Sequence, residues 1–185
     1  MVKLLLSGCS TILLALSVLA APALAAGGGG SGGSGGGGDG GTAGCPTGQV
    51  YDDAKNKCVP KSSSLDTDTL FENGRALAYA GRYDEAISVL KLAEDRGDPR
   101  IFNMLGYSNR KQGKLLIALG YYEEALRIDP DHVLTREYLG EAHLQMGDVA
   151  SAKQELGEIE KRAGRDSAEY AELSRQIAAY EAANG

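Results

Sequence analysis

Three copies of one arrangement of small residues limit what this chain can fold into. Gly74, Gly81, Ala86, Leu90 and Ala93 are answered by Gly106, Gly113, Ala118, Tyr122 and Ala125, and again by Gly140, Gly147, Ala152, Leu156 and Ile159. The internal offsets are 7, 5, 4 and 3 residues in every copy, and the copies start 32 and then 34 residues apart. Such a period signals stacked two-helix units, because one unit cannot bury its apolar face alone. No catalytic residue type recurs with the pattern, so it describes a scaffold.

The residues between these positions supply caps and breaks. Asp66, Thr67 and Asp68 offer N-caps for a helix carrying Leu70, Leu77 and Ala78, which Gly81 and Arg82 end. A second helix from Tyr83 carries Ala86, Ile87, Leu90 and Ala93 up to Gly97, and Asp98-Pro99 restarts the chain. The cycle predicts further helices over 100–112, 115–128, 132–145 and 148–163. Gly120 and Gly157 fall inside two of them, at about 1 kcal/mol each relative to alanine. After Gly164 a last helix begins at Asp166, with Glu169 in capping-box spacing. Tyr170, Leu173, Ile177 and Tyr180 share one of its faces, as a terminal cap on the stack requires.

The first third is built differently. Lys3, the apolar run 4–19 and Ala23-Leu24-Ala25 make an export signal, with cleavage expected after Ala25 and no stable membrane span left afterwards. Leu6-Ser7-Gly8-Cys9 also fits a lipobox, but too little apolar sequence precedes Cys9 to make it the processing site. Residues 26–44, almost wholly Gly and Ser, have no side chains for a core and read as a disordered tether. Loss of Cys9 leaves Cys45 and Cys58, an even pair that predicts a disulfide in a periplasmic or secreted protein. Val50 and Tyr51 favour strand, so residues 45–59 are expected to form a disulfide-clipped hairpin, joined to the helices by a linker over 60–66.

The helical part resembles the tetratricopeptide repeat family. Leu105-Gly106 and Leu139-Gly140, Gly113, Gly147, Tyr83, Ala86, Ala118, Ala152, Tyr122, Ala125 and Pro130 stand where its consensus has them. The resemblance implies an all-α solenoid of antiparallel helix pairs, with three repeats over about 67–98, 99–132 and 133–164, and a capping helix over 165–185. This sequence departs from the consensus at Asn73, where an apolar residue usually precedes Gly74, at His143 in place of Tyr, and at Gly164 in place of Pro. Family members hold a peptide or partner helix in a groove lined by the first helix of each pair. Repeat position puts Arg75, Tyr79, Asn103, Tyr107, Arg110, Lys111, Glu137 and Glu141 in that groove, and Arg110 or Arg75 would then meet a carboxylate on the ligand. The clamp that binds chaperone tails is not matched, since Phe71, Arg75 and Leu134 occupy its positions.

A formal charge of −6 argues against nucleic acid as a partner. His132 and His143 lack ligands at metal spacing, and Asp66-x-Asp68 and Asp129-x-Asp131 do not continue into a calcium loop, so no metal, cofactor or enzyme activity is expected. The leading expectation is an exported scaffold binding a protein or peptide. Self-association through exposed solenoid faces is another expectation. The alternative is an envelope or carbohydrate-binding protein that uses the Cys45–Cys58 hairpin, whose Cys-Pro-x-Gly-x-Val-Tyr-Asp stretch is similar to the last disulfide hairpin of peritrophin-type chitin-binding modules.

Overall fold

A computed structural model of the chain describes residues 44–184. The expected signal over 1–25, Cys9 and all but the last residue of the tether lie outside them. Strands β1 (Gln49–Asp52) and β2 (Lys57–Pro60) pair antiparallel with Tyr51 opposite Cys58, and Cys45 is disulfide-bonded to Cys58. Seven helices follow: α1 (Thr67–Tyr79), α2 (Tyr83–Leu90), α3 (Pro99–Lys111), α4 (Leu115–Ile128), α5 (Val133–Gln145), α6 (Val149–Ala163) and α7 (Ala168–Asn184). They pack as pairs α1/α2, α3/α4 and α5/α6, each second helix also touching the first helix of the next pair, and α7 lies on both α5 and α6.

Local chemistry explains where the helices start and stop. The Thr69 N–H donates to Asp66 Oδ1 at 2.8 Å, the Arg100 N–H to Asp98 Oδ1 at 2.9 Å and the Ser151 N–H to Asp148 Oδ1 at 3.0 Å, each satisfying a donor that the first helical turn leaves open. At α5 the cap is His132, whose Nδ1 accepts from the Thr135 N–H at 3.2 Å. The second glycine of each copy ends the first helix: Gly81, Gly113 and Gly147 have φ of 77°, 75° and 81°, which a residue with a Cβ rarely adopts.

The first glycine of each copy permits close approach instead. A Cβ on Gly106 would lie 2.5 Å from the Tyr122 ring, and one on Gly140 would lie 2.5 Å from Leu173. In the first two copies the facing side chain is Leu90 or Tyr122 from the paired helix. In the third the nearest is Leu173 of the cap, since α7 packs against α5 as well as α6.

Two features differ from the sequence reading. After α2 the chain continues as a 3-10 helix over Lys91–Arg96. A 3-10 helix rises about 0.5 Å more per residue than an α-helix, so six residues recover about 3 Å, the rise of the two residues by which the first copy is short. The hairpin, expected as a separate unit, caps the stack. Val50 is fully buried in one cluster with Leu70, Leu77, Leu90 and Leu105. Asn73, the departure from consensus, is the latch. Its Oδ1 accepts from the Tyr51 N–H at 2.6 Å, and its Nδ2 donates to the Tyr51 carbonyl at 2.8 Å. A carboxamide thus pairs one residue of the strand edge as another strand would.

Gly120 and Gly157 have open space where a Cβ would stand, and neither has positive φ. Gly120→Ala and Gly157→Ala are each expected to stabilise the protein by about 0.5 to 1 kcal/mol through reduced unfolded-chain freedom. A thermal melt reads this directly, and a lower melting temperature would contradict the helical assignment at these sites.

Candidate binding face

Helices α1, α3 and α5 stand side by side, since α3 touches both others. The Tyr79 hydroxyl of α1 lies 3.4 Å from the Tyr138 hydroxyl of α5, so the row curves inward across α3. Between them Tyr107 sits edge-on to Tyr79 at 5.5 Å and tilted against Tyr138 at 5.2 Å. Tyr79 is 53% exposed, Tyr107 is half-buried, and the exposed Lys111 places its ammonium 5.3 Å from the Tyr107 ring centre. An aromatic floor with an exposed cation at its edge offers apolar contact and hydrogen-bonding hydroxyls to a bound chain.

Arg110 is placed differently from the expectation. Its guanidinium pairs with Glu141 at 2.5 Å, with side chains only 2% and 9% exposed. It also donates to the Tyr122 hydroxyl at 3.3 Å and lies over the Tyr107 and Tyr138 rings. Burial works against the guanidinium's charge, but Tyr122 and Glu141 more than offset it and raise its pKa. Arg110 is therefore taken by Glu141 and is not open to a ligand carboxylate. Arg75, at the other end, is exposed, pairs with Glu72 at 2.5 Å and lies over Phe71. Asn103 is inside the molecule, donating to Thr135 Oγ1 at 2.9 Å, and that hydroxyl lies 2.7 Å from His132 Nδ1.

Glu137 and Glu141 come together at the α5–α7 end. Glu141 accepts from Gln176 Nε2 at 2.5 Å, and that amide also reaches Glu172 at 2.6 Å. Glu137 is 8% exposed, and its carboxyl makes no hydrogen bond or ion pair among the described residues. Burial, with Glu141, Glu169 and Glu172 nearby, pushes its carboxyl up to about 7, against a smaller opposite pull from Arg110. Between α5 and α7 opens a cavity of about 420 Å³ bordered by Leu144, Gln145, Ala179 and Tyr180.

Of the expected residues, the fold thus gathers Tyr79, Tyr107, Arg110, Lys111, Glu137 and Glu141, keeps Arg75 apart and buries Asn103. Sequence reasoning missed Tyr138, Glu172 and Gln176. Glu172 and Gln176 are four apart and so share a face of α7, which was the available signal.

Two tetratricopeptide repeat family profiles match the chain, over residues 71–133 and 110–177. The chain belongs to the tetratricopeptide repeat family. Among solved structures, PcrH in complex with the chaperone-binding region of PopD is 26% identical with a TM-score of 0.56, covering 65% of this chain and 97% of that one. The type III secretion translocator chaperone SycD of Yersinia enterocolitica is 25% identical with a TM-score of 0.54, covering 63% and 89%. The first such domain of human RPAP3 matches at 19% identity and a TM-score of 0.57, covering 63% and 93%, which speaks for the fold alone. No curated protein sequence matches the chain.

In this tetratricopeptide repeat protein Tyr51 of the hairpin has a structural use. Tyr51 is bound through its backbone to Asn73, and its hydroxyl donates to Asn56 Oδ1 at 3.2 Å. Among the described residues no group of acidic, His or Cys side chains could hold a metal ion, and no helix is long and apolar enough to cross a membrane.

Proposed function

We propose that this protein is an exported scaffold that binds an extended segment of a partner protein along α1, α3 and α5. The observation that carries the reading is the inward-curving row of Tyr79, Tyr107 and Tyr138 with Lys111 beside it, a surface left partly open although its rings pack on one another. Among the relatives, PcrH is seen with a segment of PopD, and SycD is named a translocator chaperone. Export is supported by the apolar N-terminal run ending in Ala23-Leu24-Ala25 and by a disulfide, which persists in oxidising compartments.

Capture from the cell envelope with the wild type and a Tyr79→Ser, Lys111→Glu variant tests this. Both side chains are exposed, so the variant should stay folded, with at most a small drop in melting temperature from the lost ring contact, and lose the partner. Equal capture by the variant would move the site elsewhere. The mature chain recovered from that fraction should begin at Ala26; a chain beginning at Met1 would contradict export by cleavage.

A further inference from the structure

Glu137 is a carboxyl without a counter-charge of its own. Arg110 is engaged with Glu141 and Arg175 with Glu172, and the Gln176 amide donates to Glu141 and Glu172. The groups that act on it are Arg110 from α3, Glu141 from its own helix, and Glu169 and Glu172 from α7, three like charges against one. Among the described residues the only fully enclosed side-chain polar atom without a partner is Gln112 Oε1. The equally unpartnered Glu137 oxygens therefore reach solvent. Keeping such a carboxyl in a largely buried place is unfavourable when it is charged, and a cation brought in from outside would relieve it. Leu144, which lines the α5–α7 cavity, is seven residues further along α5, a rise of about 10 Å. An extended chain covers that distance in about three residues.

We propose that the α5–α7 end of this face accepts a lysine or arginine side chain of the bound segment at Glu137, flanked by Glu141 and Glu172, while an apolar side chain about three residues away enters the cavity beside Leu144 and Tyr180. This rests on the reading of the inner face as the binding surface and reverses the charge expected of the ligand. The incoming cation favours the ionised carboxyl, so binding expels a proton from Glu137 and weakens as pH falls through about 7.

The test is an NMR titration of the full chain with two blocked tetrapeptides, acetyl-Lys-Ala-Ala-Leu-amide and acetyl-Leu-Ala-Ala-Lys-amide, beside controls carrying Glu for Lys. At least one lysine peptide should shift the Leu144 methyls and the amides around Glu137 and Glu172, and bind roughly tenfold more tightly at pH 8 than at pH 6. Glu137→Gln should remove that pH dependence and weaken binding without lowering the melting temperature. The inference is overturned if the glutamate peptides bind as well, if no peptide binds at millimolar concentration, or if Glu137→Gln leaves affinity and pH profile unchanged. Shifts confined to Tyr79 and Tyr107 overturn it while sparing the inner face. A captured partner that protects other surfaces would instead overturn the functional reading.

Discussion

Arg110→Ala is expected to lower the unfolding free energy by about 3 to 5 kcal/mol, the cost of leaving one member of a buried ion pair without the other. The guanidinium is 2% exposed, and its loss strands Glu141 next to Glu137, two carboxyls in a place closed to most water. It also removes the donor to the Tyr122 hydroxyl and the cation stacked on Tyr107 and Tyr138, so the aromatic floor loses its support. The double replacement Arg110→Met with Glu141→Leu should recover most of the loss, because apolar side chains of similar volume need no desolvation of charge. Urea unfolding followed by circular dichroism separates the cases. A loss below about 1 kcal/mol for Arg110→Ala would mean that the pair behaves like a surface one.

Asn73→Leu should cost about 2 to 4 kcal/mol, although it restores the apolar residue that repeat consensus prefers. The change leaves the Tyr51 N–H and carbonyl without their partner and loosens the seat of the fully buried Val50. Replacing Cys45 and Cys58 by serine should cost about 3 kcal/mol in the chain-entropy model. The two losses should combine to less than their sum, since both act by freeing the same hairpin from α1. Strict additivity, or an Asn73→Leu variant as stable as wild type, would show that the hairpin is not a cap.

The architecture was legible because its determinants are local and periodic. Small residues at fixed offsets, Asp caps and C-terminal glycines act within one helix or one pair, so the three repeats and α7 could be placed from sequence. What escaped depends on meetings between distant segments. Asn73 stood out as an exception, but only the fold brings it to β1, 22 residues earlier. Leu173 of α7 meets Gly140 because α7 packs on α5 as well as α6, a contact between elements that repeat spacing does not give. Repeat position grouped Arg110 and Glu141 together, yet it could not reveal that they neutralise each other and leave Glu137 without a counter-charge.

Hydrogen exchange on the complex with a partner captured from the envelope tests the central claim most directly. Binding along the inner face predicts added protection in α1, α3 and α5 and on the α7 segment around Glu172 and Gln176, with the hairpin unchanged. Protection confined to the hairpin, or to the outer helices α2, α4 and α6, would contradict it.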